Sequence, residues 1–243
     1  YLTVDACNLA QRYQVPVFIA SDQALSQNTA TIDPIDLGRV TVDQGKRLDA
    51  DDLAKLDTYK RYAFTEDGIS PYTIPGTPNG MSLVTGNEHD EFGLVSAEPV
   101  NRQRMMDKRQ QKMKTMLPEL PRAGRYGDQD SKIGVIGIGM CFGVILEALD
   151  TLADRGIDVQ YFQPRTLWPM LDETINFVNE CEVVYVLDLN AGAQLAGLLL
   201  HEGADPDRIV NILHYDGTPI RSDAVVKFIA GDLAARDKVE EVA

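Results

Sequence analysis

Apolar residues recur at helical spacing from the second residue onward, at Leu2, Ala6, Leu9, Ala10 and Tyr13. The pattern predicts an N-terminal helix with no capping residue ahead of it. It runs into Pro16-Val17-Phe18-Ile19-Ala20-Ser21-Asp22, a short apolar run ending in a polar pair, which predicts a buried parallel strand. One helix and one strand cannot close a sheet, so 1–24 is expected to be the tail of a domain whose body is absent.

From Gln23 to about Tyr59 the periodicity weakens into short β-like pieces, such as Arg39-Val40-Thr41-Val42, and one short helix near Asp51–Leu56. Residues 61–93 have no regular period, and Pro71, Pro75 and Pro78 break any that starts. An irregular stretch of that length in a compact protein is usually functional or packed on a partner. A charged helix follows, opened by Glu98-Pro99 and running to about Met116. Its apolar stripe is thin, so its Lys and Arg residues are expected to lie on a solvated or interface face. Residues 25–128 are therefore expected to form a connector.

After a break at 118–127 the rhythm becomes strand, helix, strand, helix. Ile133–Ile138, Val159–Phe162, Val183–Leu187 and Ile209–Leu213 predict strands. Helices are predicted through Phe142, Ile145, Leu149 and Leu152, over Asp172–Asn179, through Gln194–Leu200, and from a cap near Ser222. The expected fold class is α/β, with 129–243 forming a three-layer, mostly parallel sheet covered by helices on both faces.

Composition and charge narrow the function. The 243 residues are 44% apolar and 25% charged, and they carry 23 Lys plus Arg against 37 Asp plus Glu, a net charge of −14. That field repels a phosphate backbone, so nucleic acid is not an expected partner. No apolar run reaches the length of a spanning helix and no secretion signal is evident, so a cytoplasmic location without membrane contact is expected. Cys7, Cys141 and Cys181 are far apart in apolar segments with no CxxC pair. They read as small core residues and not as ligands of a metal or cluster.

Four places carry candidate chemistry. Gly137-Ile138-Gly139-Met140-Cys141-Phe142-Gly143 joins a strand to a helix, but its glycine spacing fits a tight turn better than a dinucleotide cradle. Glu88-His89-Asp90-Glu91 gathers three carboxylates and an imidazole, and is expected to be a hydrogen-bonded loop or subunit contact ahead of a metal or acid–base site. His201 sits at a helix C-terminus, where the dipole accounts for it. His214, with Tyr215-Asp216-Gly217, lies at the edge where open α/β sheets place ligands.

Taken in order, Arg61-Tyr62, Thr65-Glu66-Asp67-Gly68-Ile69-Ser70-Pro71, Ile74-Pro75-Gly76-Thr77, Thr85-Gly86, Glu88-His89-Asp90-Glu91-Phe92-Gly93, Asn101-Arg102, Met105-Met106 and Lys108-Arg109 resemble the 2-oxoacid:ferredoxin oxidoreductases, specifically the C-terminal portion of the alpha subunit of the 2-oxoglutarate type. The first line resembles the end of that subunit's pyrimidine-binding domain. Residues 130–243 resemble its second domain, which is similar to the C-terminal domain of transketolases. Two positions depart from the family's pattern: Tyr72 stands where an Arg is common and Asp188 where a Glu is usual. The resemblance implies coenzyme A-dependent oxidative decarboxylation of a 2-oxoacid with ferredoxin reduction. It implies thiamine diphosphate, Mg²⁺ and [4Fe–4S] chemistry in a hetero-oligomer with a beta subunit, none of it held by this segment. On that mapping no catalytic, cofactor or metal residue is expected here, and Arg61, Glu66, Asp67, Glu88, His89, Asp90, Glu91 and Arg102 are interface or loop candidates. The competing expectations are a non-catalytic assembly module and an independent α/β enzyme working near His214–Asp216.

Overall fold

A computed structural model describes residues 1–240. Two compact units are present, one of residues 1–20 and 31–119 and the other of residues 21–30 and 120–243, whose last three residues lie outside the described ones. The division differs from the expected boundaries: 1–20 shares a unit with most of the connector, and the second unit begins at 120 and not at 129.

The second unit is built on a five-stranded sheet. Its strands are β1 (Gly124–Gly127), β2 (Ile133–Gly137), β3 (Gln160–Gln163), β4 (Val183–Asp188) and β5 (Ile209–Leu213), in the order β1-β3-β2-β4-β5. The last four are mutually parallel, whereas β1 runs antiparallel to β3, with Gly124 opposite Gln163 and Gly127 opposite Gln160. This edge strand was read as a break because Gly124-Arg125-Tyr126-Gly127 has no apolar run to announce it.

Alternate strand residues enter opposite layers, as the pleat requires. Val135, Tyr161, Tyr185 and Leu187 pack with Ile145, Leu149 and Leu152 of helix α5 (Cys141–Ala153) and Val225, Val226 and Ile229 of α8 (Ser222–Glu240). Ile136, Phe162, Val184 and Val186 pack on the other face, with Phe177 and Val178 of α6 (Asp172–Glu180) and Leu195 and Leu199 of α7 (Gln194–His201). The expected three-layer, mostly parallel α/β architecture is what the structure shows.

The first unit is mostly irregular. It contains α1 (Leu2–Tyr13), the one-turn α3 (Ala50–Leu53) and the long α4 (Pro99–Met116), joined by coil. The strand expected at Pro16–Asp22 does not form: 15–22 is unpaired backbone, and Phe18 is almost fully exposed. An apolar run needs a neighbouring edge to become a strand, and no strand lies in this unit among the described residues. Arg39 closes a single 3₁₀ turn from Leu37 and does not start a strand. Cys7 is exposed, whereas Cys141 and Cys181 are buried as expected.

The β2–α5 turn explains itself. Gly139 has φ 61°, and a Cβ there would stand 2.4 Å from Oδ2 of Asp22. That oxygen accepts the N–H of Met140 at 2.6 Å, and Oδ1 of the same carboxylate accepts Leu25 N–H at 2.8 Å, capping α2 (Gln23–Gln27). The start of α5, where a cradle would hold a phosphate, thus holds the chain's own carboxylate. Asp22→Ala should cost about 1–2 kcal/mol through loss of both caps. Gly139→Ala should cost at least as much, because it adds a left-handed residue to the clash. Urea denaturation curves of the two variants check both.

Candidate functional site

Most of the sequence candidates fall in the loop unit, where α4 supplies the partners. Gly68, at φ 74°, lays its backbone directly on this helix: a Cβ there would stand 2.5 Å from the Lys108 carbonyl oxygen and 2.6 Å from Lys112 N. Glycine is therefore needed for both the turn and the approach. Thr115 Oγ1 donates to Asp67 O at 3.0 Å, and Lys108 Nζ donates to Tyr62 O at 2.7 Å, so α4 side chains bond the irregular backbone that leads into Gly68.

Glu88 is held in a cationic clamp. Arg109 donates to both of its oxygens, at 2.7 and 3.1 Å, and Arg102 donates to Oε2 at 2.9 Å. The Arg109 hydrogen bonds, working against burial, lower the Glu88 carboxyl to about 2. His89 is 9% exposed, stacks on Tyr62 with ring centroids 3.8 Å apart, and pairs its Nδ1 with Asp90 O at 3.1 Å. Asp90 Oδ1 accepts the N–H groups of Phe92 and Leu94, which fixes the turn. Glu91 accepts from Lys60 Nζ and Phe64 N, each at 3.1 Å; burial opposes these bonds, yet its carboxyl stays below the ordinary range. The four side chains therefore diverge, each bonded to its own loop, to Lys60 or to α4. Among the described residues no three His, Cys, Asp or Glu are grouped to hold an ion.

Arg61 is placed with this group. Its guanidinium lies 4.9 Å from the Tyr62 ring centroid and 5.9 Å from that of Tyr72, and it lines a cavity of about 150 Å³ with His89, Lys108, Arg109 and Lys112. Glu66 and Asp67 are not placed with it. They line a second, more open cavity with Lys46 and Thr115, where Asp67 pairs with Lys46 Nζ at 2.6 Å. Burial raises the Asp67 carboxyl, but Lys46 and the Ile69 N–H outweigh it, leaving the group below its usual value.

Sequence reading missed Lys108 and Lys112, which were assigned to a solvated or interface face. Both are half-buried against the cavity, and burial drives the ammonium of each downward, that of Lys108 to about 8. The signal was present in the spacing. Met105, Lys108, Lys112 and Met116 form one i, i+3, i+7, i+11 stripe, with the two methionines buried.

The sheet unit carries the remaining candidates. His214 Nε2 lies 2.7 Å from Thr218 O and 3.1 Å from Asp216 Oδ1, while Asp216 Oδ1 also accepts Thr218 N–H and Oγ1–H. These groups close a turn on themselves. Asp188 is buried and accepts Leu195 N–H at 2.7 Å, capping α7, with Asn190 Nδ2 on its other oxygen. The Cys141 thiol is pushed up to about 12 and that of Cys181 to about 11, chiefly by burial, so neither is a ready thiolate.

No family model matches the chain. It is 34% identical over 227 residues to the 2-oxoacid:ferredoxin oxidoreductase subunit alpha of Saccharolobus solfataricus, a match that covers 90% of this chain and 35% of the relative. A 2-oxoacid:ferredoxin oxidoreductase 2 subunit alpha of Aeropyrum pernix is 32% identical over 229 residues, covering 91% of this chain and 34% of the relative. The chain is homologous to 2-oxoacid:ferredoxin oxidoreductase alpha subunits. It spans about a third of the length of these alpha-subunit relatives. A solved 2-oxoglutarate:ferredoxin oxidoreductase from Magnetococcus marinus, with 2-oxoglutarate, coenzyme A and succinyl-CoA bound, matches with a TM-score of 0.86 at 32% identity, over 95% of this chain and 39% of that one.

The clamp on Glu88 fixes the sign of a pH effect. A carboxyl lowered in the folded state adds stability that is complete above its unfolded value near 4.5 and is lost as pH falls toward about 2. Glu88→Gln should therefore lower the melting temperature by a constant amount above about pH 5, and the gap to the parent should close below that. Thermal melts between acid and neutral pH measure it.

Proposed function

We propose that the chain is a scaffold portion of the alpha subunit of a 2-oxoglutarate:ferredoxin oxidoreductase. The reaction is oxidative decarboxylation: 2-oxoglutarate and coenzyme A give succinyl-CoA and CO₂, and two electrons pass to ferredoxin. The observation that carries this reading is the match over 95% of the chain to an enzyme with 2-oxoglutarate, coenzyme A and succinyl-CoA bound.

Thiamine diphosphate, Mg²⁺ and [4Fe–4S] groups would sit on other parts of the assembly. The donor set here does not suit them: two of the three thiols are buried in different layers of the sheet unit, the third is exposed in the other unit, and the acidic loop commits Glu88 and Glu91 to Arg and Lys and Asp90 to backbone N–H groups. This segment's own contribution is contact with the beta subunit. Met81, Val84 and Val100 of the loop unit are 95%, 70% and 71% exposed, and Leu83, Leu94 and Val95 are exposed too, apolar side chains suited to a partner. No described helix is long and apolar enough to cross a membrane.

The isolated chain should give no ferredoxin reduction with 2-oxoglutarate and coenzyme A, whereas a complex containing it, the remainder of the alpha subunit and an iron–sulfur beta subunit should turn over. Turnover by the chain alone would overturn the reading. Deleting 61–93 should cost assembly more than it costs melting of the sheet unit, which size exclusion with the beta subunit and thermal melting separate. In the complete enzyme, His89→Ala should lower activity less than tenfold, since the ring stacks on Tyr62 and bonds its own loop; steady-state kinetics of the assembled variant measures this.

A further inference from the structure

We infer that the cavity between residues 61–70, His89 and α4 binds a phosphate group. The inference stands on the loop unit's own geometry and does not depend on the reaction proposed above.

Four cationic side chains line this cavity of about 150 Å³: Arg61, Lys108, Arg109 and Lys112. Only Arg109 has a carboxylate, in Glu88. Arg61, Lys108 and Lys112 form no ion pair among the described residues. Each ammonium has one carbonyl partner, Tyr62 O for Lys108 and Gln14 O for Lys112, which leaves two of its three protons. The Arg61 guanidinium is held over Tyr62 and Tyr72 and keeps its fork of donors.

Three unmatched positive charges around one small cavity are costly. Burial opposes the Lys108 and Lys112 ammoniums and Arg61 repels both, and the chain has 37 acidic residues from which a partner could have been drawn. An anion in the cavity relieves all three at once. A single carboxylate supplies one charge, whereas a phosphate supplies about −1.5 to −2 and three acceptor oxygens, the closer match to three donors. The volume suits that group and holds no more of a nucleotide than its phosphate.

Inorganic phosphate is the probe. Added to about 10 mM at constant ionic strength made up with chloride, it should raise the melting temperature of the chain saturably. Lys112→Met and Arg61→Gln should each weaken the half-saturating concentration by at least tenfold, and Lys227→Met, on α8, should leave it unchanged. Lys112→Met removes a repelled and desolvated charge together with its bond to Gln14 O, opposing effects that should leave this variant melting close to the parent when phosphate is absent. Loss of its phosphate response then reports binding and not unfolding. Should either variant fail to fold, the other carries the comparison. Glycerol phosphate separates two sources: a response equal to that of inorganic phosphate assigns a phosphate monoester, and one tenfold weaker assigns the free ion. No saturable shift beyond chloride, or an unaltered response in both cavity variants, would overturn the site.

Discussion

Backbone N–H and C=O groups withdrawn from water must be bonded, and in the loop unit that requirement falls on side chains. A regular element satisfies itself. Residues 40–96 are largely irregular, and their carbonyls are met instead by Asn8 Nδ2 at Thr41, Gln14 Nε2 at Ser70, Lys46 Nζ at Ile69, Lys108 Nζ at Tyr62 and Asn101 Nδ2 at His89. Asp43 and Phe64 receive acceptors for their N–H groups from Asn8 and Glu91. α4 acts as a rack of donors, and α1 adds Asn8. The thin apolar stripe of α4 follows from that role, because positions facing the coil must be polar and long enough to reach it.

The same requirement brings lysine into the interior. An ammonium that bonds a carbonyl leaves its charge unanswered, so each such bond imports a positive charge into a place of low dielectric. Glutamates answer some of these charges: Glu91 faces Lys60 and Glu88 faces Arg109. Lys108 and Lys112 form no ion pair among the described residues, which sets the electrostatic character of the cavity they line.

The two units were unequally legible in the sequence. In the sheet unit, burial on both faces imposes near-continuous apolar runs, and Val183–Leu187 and Ile209–Leu213 announce themselves to within a residue. β1 escaped because an antiparallel edge strand with one glycine at each end needs no such run. The converse error at Pro16–Asp22 has the same root: composition can mark a segment as strand-like, but only a neighbouring edge makes it one. In the loop unit the acidic cluster Glu88–Glu91 was visible as letters, and its divergence was not, since the positions of Arg102, Arg109 and Lys60 come from tertiary placement. Lys108 and Lys112 were recoverable from their stripe with Met105 and Met116, had charge not been taken as a mark of exposure.

Asp22 carries a consequence for selectivity. A carboxylate tethered at the opening of α5 acts as an intramolecular ligand, present at an effective concentration in the millimolar range or above whatever the solution contains. A free anion of ordinary affinity must displace it and leave one Asp22 oxygen without the Met140 N–H. The opening of α5 is therefore occupied from within. Its helix terminus is buffered against the phosphorylated metabolites around it by a residue more than a hundred positions away in the chain.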